Sequence, residues 1–250
     1  MIIPRILILI FTFTATAEAL ALDINFKTQA EVEASEITLG DIAEFSEHSQ
    51  FSAALSTLVI CRAPEPGEVT TLDARQVISS LVKKHAQMNS VFWKGSSGIS
   101  VKRASQTITH EKVLAVIRQY IDDNLHRMPK ARITFKPESL PLPFLLPTGR
   151  LSWEVVPSSP RIIGSSRFSV IIRVDERVQK NFSVRGHTEA IMPVVVTTRR
   201  LKYGQTITTD SVTVAPRDIS RFESYINNPE DIIGSLIKRT LTEGAVVGLE

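Results

Sequence analysis

Two stretches of the chain carry apolar residues at helical spacing, and most of the remainder alternates in short β-branched runs. Leu72, Val77, Ile78, Leu81 and Val82 recur at the interval of one helix face. Asp73 stands where its carboxylate can cap free amides, which predicts a helix from about Asp73 to Gln87. A second helix is predicted from about His110 to Leu125, with Thr109 as N-cap, Glu111 in the first turn and Pro129 beyond its end. Val113, Leu114, Val116, Ile117, Tyr120, Ile121 and Leu125 give it a wide apolar face that needs substantial burial. Ahead of both helices, Ala63-Pro64-Glu65-Pro66-Gly67 is turn chemistry.

After the second helix the period changes from helical to strand-like. Arg132 to Lys136, Leu151 to Val156, Phe168 to Val174 and Val178 to Val184 are predicted strands, with Asp175-Glu176-Arg177 as the hairpin turn between the last two. Pro137 to Pro147 holds four prolines and is expected as a stiff connector draped over this module. From Met192 a new unit is predicted: a strand at Val194 to Thr198, a turn at Leu201 to Gln205 with Gly204 at positive φ, and then Ile207 to Val212. Asn228-Pro229-Glu230-Asp231 follows as a capped helical turn leading to Gly234, and a last strand is predicted at Leu236 to Thr240. The fold class is α+β: a mixed N-terminal module over 22–105, a helix plus antiparallel sheet module over 106–190, and a third unit over 191–250.

Composition adds a packed core and an address. With 43% hydrophobic and 22% charged residues the chain lies in the globular range. The formal net charge of +3 is spread without a polybasic run, which argues against a nucleic-acid partner. Residues 1–21 carry Arg5, the apolar run Ile6 to Phe13 and a small-x-small site at Ala17-Glu18-Ala19 or Ala19-Leu20-Ala21, and read as a cleavable secretory signal peptide. Thr12, Thr14, Thr16 and Glu18 interrupt the run too early for a membrane span, and no later segment suits stable membrane insertion. Cys61 is the single cysteine, so no internal disulfide is expected; within Leu58-Val59-Ile60-Cys61 it reads as a small buried hydrophobe.

No catalytic constellation, cofactor loop or metal motif emerges. Gly164-Ser165-Ser166 lacks the second glycine of a nucleophile elbow. His48, His85, His110, His126 and His187 never fall at ligand spacing. Gly95-Ser96-Ser97-Gly98 lacks the lysine and following helix of a phosphate cradle. Asn181-Phe182-Ser183 matches a glycosylation acceptor by chance within a predicted strand, and the pairs Asp122-Asp123 and Glu230-Asp231 read as solvated surface. No enzyme activity is expected, and no residue is assigned to partner binding.

The segment Met192 to Glu250 resembles the opening of a SAF (β-clip) domain. The resemblance is carried by Pro193-Val194-Val195-Val196, by Arg199 to Val212, by Arg217-Asp218-Ile219, and by the stretch from Ile233-Gly234 to Gly244. Trp153-Glu154-Val155-Val156-Pro157, Arg167-Phe168-Ser169-Val170 and Val178 to Val184 with Arg185-Gly186 are similar to the β-rich middle region of the flagellar basal-body P-ring assembly chaperones. Leu39-Gly40-Asp41-Ile42-Ala43 and Pro64 to Gly67 resemble the extra N-terminal module of that family's longer members. The resemblance implies a periplasmic chaperone whose partner is the P-ring protein, with peptidoglycan nearby and no catalysis. Two departures from the family carry expectations. Asp175-Glu176 stands where the family favours Asp-Gly, predicting a looser or longer hairpin. The chain stops at Glu250 where such domains continue, predicting an incomplete β-clip whose Val194 to Thr198 presents an exposed edge able to accept a partner strand. An exported cell-wall or sugar-binding SAF module and a pilus assembly protein are the alternatives.

Overall fold

The computed structural model describes residues 22–249, and the expected signal peptide over residues 1–21 lies outside the described residues. The chain divides into two compact units, one ending at Ala104 and the other beginning at Ser105.

The first unit runs β1 (Asp23–Phe26), β2 (Gln29–Val32), β3 (Glu36–Thr38), α1 (Leu39–Ile42), β4 (Ala43–Phe45), α2 (Gln50–Ser56), β5 (Val59–Arg62), β6 (Val69–Asp73), α3 (Ala74–Lys84), β7 (Phe92–Gly95) and β8 (Gly98–Arg103). Its strands form the sheets β4-β1-β7 and β2-β8-β6 and the pair β3-β5. β1 with β7 and β2 with β8 are parallel. Helix α3 starts where the sequence predicts, because the Asp73 carboxylate accepts the Arg75 amide at 2.8 Å. The one-turn α1 is held by Asp41, whose Oδ2 accepts the Thr38 amide at 2.7 Å and the Thr38 hydroxyl at 2.8 Å. Leu39 and Ile42 on this turn are buried with Ile24, Ile37, Ile99 and Val101 in one core.

The second unit runs β9 (Ser105–Ile108), α4 (His110–Asp123), β10 (Arg132–Ser139), β11 (Phe144–Pro147), β12 (Leu151–Pro157), β13 (Arg167–Val174), β14 (Arg177–Thr197) and β15 (Val212–Asp218). Its main sheet is antiparallel in the order β10-β14-β13-β12, with β15 also paired to β14. The Thr109 hydroxyl accepts the Lys112 amide and caps α4, and Val113, Ile117 and Ile121 turn one helix stripe onto the sheet. The fold class is α+β, as the periodicities predict.

Four features of this unit differ from the sequence expectation. The expected separate strands at Val178–Val184 and Val194–Thr198 are one strand, β14, of 21 residues. The link reads Arg185-Gly186-His187-Thr188-Glu189-Ala190, and its buried positions are Gly186, Thr188 and Ala190. The two-residue period persists there, but with residues too small or polar to signal it. Gly186 is required by packing: a Cβ would sit 2.4 Å from the Lys136 carbonyl oxygen and 2.6 Å from the Phe135 ring.

The proline-rich segment is only partly a connector. Pro137 sits inside edge strand β10, and Phe144 to Pro147 form β11, which pairs with β9. Proline is tolerated because β10 is an edge and its register shifts between Pro137 and Ser139. At the other end of the unit, the segment expected as a strand at Leu236 to Thr240 makes isolated bridges only, Thr206 to Leu236 and Leu201 to Leu241. The turn at Leu201 to Gln205 is as expected, with Gly204 at φ 78°.

The hairpin after Val174 is tight. Val174 pairs directly with Arg177, so the turn has two residues, Asp175 at φ 47° and Glu176 at φ 64°. Asp175 is anchored there, since its Oδ1 accepts the Arg150 amide at 2.9 Å and its own amide donates to the Arg150 carbonyl at 3.0 Å. That external anchor is why the turn stays short without the Asp-Gly pair. Glu176 has no such hold and bears the left-handed strain. Glu176→Gly is expected to stabilise the protein by about 0.5–1 kcal/mol, relief of strain exceeding the added freedom of the unfolded chain. A rise in the urea midpoint at unchanged slope would show it, and a fall would mean that the turn is unstrained.

Candidate partner-binding surface

The residues singled out for chemistry are mostly absorbed by the scaffold. Ser165 is fully buried; its hydroxyl accepts the Ser159 amide at 3.1 Å and its carbonyl accepts the Thr188 hydroxyl at 3.3 Å. His48 is exposed, His85 ends α3, His110 begins α4, and His126 contacts the Asp123 carbonyl at 3.1 Å. Asp122, Asp123, Glu230 and Asp231 are exposed, and Asn181-Phe182-Ser183 lies in β14. Cys61 is half-buried, and that burial raises its thiol above the ordinary range. Among the described residues no group of three His, Cys, Asp or Glu side chains is placed to hold a metal ion.

One constellation escaped sequence reading because it spans more than thirty residues. His187 on β14, Asp218 at the end of β15 and Ser220 just beyond it converge. A nucleophilic triad needs one imidazole nitrogen on the serine and the other on the carboxylate. Here the same Nε2 faces Asp218 Oδ2 at 3.2 Å and Ser220 Oγ at 3.4 Å, while the serine hydroxyl donates to Asp218 at 3.0 Å. The arrangement is a clamp. Asp218 Oδ1 accepts the Ala190 amide and the Ser220 amide, each at 3.0 Å. Burial pushes the Asp218 carboxyl up, but these amides with His187 and the Ser220 hydroxyl outweigh it and hold the group down at about 2.

The backbone edges differ from expectation as well. The exposed edge predicted at Val194 to Thr198 is closed on both sides. β15 pairs with one side from Ile191 to Thr197. On the other, the Val195 amide donates to the Ile226 carbonyl at 2.7 Å, the Thr197 amide to Ala245 at 3.0 Å, and the Val247 amide returns to Val195 at 3.0 Å. Val194 and Val195 are fully buried. Propensity could not show this, because the covering segment Thr242-Glu243-Gly244-Ala245 reads as a turn and engages the strand through hydrogen bonds to Thr197 and an isolated bridge from Val246 to Val196, without forming a regular strand.

The free edge lies further back on β14. β13 covers one side of the strand from Arg177 to Arg185, while β10 reaches the other side only as far as Arg185. The Gly186 amide points toward the β13 side, to Ser166, and the Val195 amide points the opposite way. By alternation the amides of Asn181 and Ser183 face outward, where no strand pairs with them. Val178, 58% exposed, lies on this edge strand, and Leu142, 82% exposed, lies in the connector that follows β10. Phe144 packs on Phe182 at 5.8 Å between ring centroids, with the Lys180 ammonium 4.3 Å from the Phe144 centroid.

Comparison with known proteins gives the fold a context. Residues 192–249, the segment that closes around the end of β14, match the family described as chaperone for flagella basal body P-ring formation. The match to that family is confined to this segment. A search of curated proteins gave no significant match. Among solved structures, the flagellar protein FlgA of Thermotoga maritima MSB8 is 14% identical, covering 90% of this chain and 76% of that one, at a TM-score of 0.33. The closed form of Salmonella FlgA is 16% identical over 54% of this chain and 66% of that one, at a TM-score of 0.34. The matched segment contains the end of β14, the Gly204 turn and the Asp218 and Ser220 members of the clamp described above.

Proposed function

We propose that this chain is a periplasmic, non-enzymatic chaperone that binds P-ring subunits transiently and keeps them competent for assembly around the flagellar rod. The match of residues 192–249 to the P-ring-formation chaperone family carries this reading. Export by a cleaved signal peptide and a SAF-type C-terminal domain belong to the same proposal. Among the described residues no helix is long and apolar enough to cross a membrane. The contact we propose is β-augmentation: an extended segment of the subunit pairs with the free edge of β14 at Val178 to Ser183, in line with β10.

The test is capture of purified P-ring subunit by the mature chain, alongside Asn181→Pro. Proline at 181 deletes an outward amide that no strand among the described residues uses, so the fold is expected to survive with normal circular dichroism while capture falls at least about tenfold. Unchanged capture by Asn181→Pro would remove the edge from the proposal. No capture by the unaltered chain would overturn the chaperone reading itself.

A further inference from the structure

We infer that the open face of the main sheet around Arg167 and Arg185 binds an acidic, extended segment of a partner protein. These two arginines are direct cross-strand partners between β13 and β14. Their chain neighbours Phe168 and Val184 are buried on the core side, so by alternation both guanidinium groups lie on the opposite, exposed face. Like charges placed directly opposite each other destabilise a sheet. Other basic residues of this sheet have found acids: Lys136 pairs with Glu189 at 2.7 Å and Arg173 with Glu154 at 2.8 Å. Arg167 and Arg185 have no ion pair among the described residues, and neither has Arg132 on β10.

The next cross-strand pair on the same face is Ser169 with Ser183, their hydroxyls 3.4 Å apart. Beyond it lie Ile171 opposite Asn181, and half-exposed Val156 on β12 faces Ser169. The face therefore offers two uncompensated guanidinium forks, then hydroxyl donors, then apolar surface. Guanidinium groups meet carboxylates in bidentate pairs, and a bound carboxylate would cancel the repulsion that the free protein carries. The occupant is a strand-like segment with a glutamate or aspartate over the arginine pair and small or apolar residues after it. This surface adjoins the outward edge of β14 and shares Asn181 and Ser183 with it, but its arginine pair lies beyond that edge, and the inference does not depend on the identity of the subunit.

The experiment uses the mature chain, a glutamate-rich peptide and its glutamine isostere, with Arg185→Glu as the variant. The unaltered chain is expected to bind the glutamate peptide, to lose it as salt is raised, and to ignore the isostere. Arg185→Glu is expected to weaken binding at least about tenfold. The same change replaces a repulsive cross-strand pair by an attractive one, so its melting midpoint is expected to rise by about 2 °C. No binding by the unaltered chain, a lowered midpoint in the variant, or binding to anionic phospholipid vesicles in place of the peptide would each overturn the inference. Subunit capture measured in parallel separates its failure from failure of the chaperone reading.

Discussion

Phe168→Ala is expected to destabilise the second unit by about 3–5 kcal/mol, the largest effect of any single truncation proposed for this chain. Phe168 is fully buried at the centre of the core that α4 and the main sheet share. Its ring meets Phe135 edge to face at 5.0 Å between centroids and Tyr120 at 6.3 Å. One side chain on β13 thus fastens β10 through Phe135 and α4 through Tyr120. Truncation removes the transfer energy of the ring and leaves a void, because the surrounding strands are hydrogen-bonded at fixed spacing and cannot collapse into it. Aromatic pairing adds to the loss. Urea unfolding of Phe168→Ala and Phe168→Leu should give graded losses, with leucine the smaller because it refills most of the space. A loss below about 1 kcal/mol for alanine would mean that this core is not assembled as described.

Asp218→Ala is expected to cost about 2–4 kcal/mol, because it leaves the Ala190 and Ser220 amides without their acceptor in a part-buried site. The same carboxylate makes stability depend on acid. Its folded-state value is depressed to about 2, below that of an unfolded aspartate. The stability it contributes is therefore fully present above about pH 4 and is lost as pH falls toward 2. The facing groups are His187, the Ser220 hydroxyl and the two amides. Asp218→Asn should flatten that limb of the acid-unfolding profile and leave the neutral limb lower. A profile as steep in the variant as in the parent would remove Asp218 from the account.

Both predictions rest on contacts that no sequence window contains. Phe168, Phe135 and Tyr120 come from three elements, and the clamp joins His187 and Ala190 to Asp218 and Ser220 across strand pairing. What could be read locally was read correctly where the residue itself supplies the physics. Asp73 and Thr109 cap their helices because a side-chain oxygen two or three residues ahead of a free amide is a local geometry. The alternation from Phe168 to Val174 shows β13 because one face of that strand is uniformly apolar.

The C-terminal segment that resembles a SAF domain by sequence is the one that matches the P-ring-formation chaperone family, at residues 192–249, whereas the sequence resemblance to that family is carried by residues upstream of it. It could not reveal which edge of β14 is open. The expectation placed the gap at Val194 to Thr198, where Ile226, Ala245 and Val247 close it, and missed the opening at Val178 to Ser183. Edge exposure depends on how far a distant partner strand extends, and β10 stops at Ser139. Nor could sequence show that Arg167 and Arg185 face each other, since pairing register across a hairpin depends on the turn and on the shift between Ile172 and Arg173.

By itself the amino-acid sequence determined the α+β class, the helix starts, the strands with one apolar face and the Gly204 turn, because each depends on residues within about one turn or one strand length. Only the tertiary structure decided the unbroken course of β14 through small residues, the tight Asp175-Glu176 hairpin held from Arg150, the Asp218 clamp, the open edge and the arginine pair. Each of those is a property of two segments brought together, and its energy does not exist until they meet.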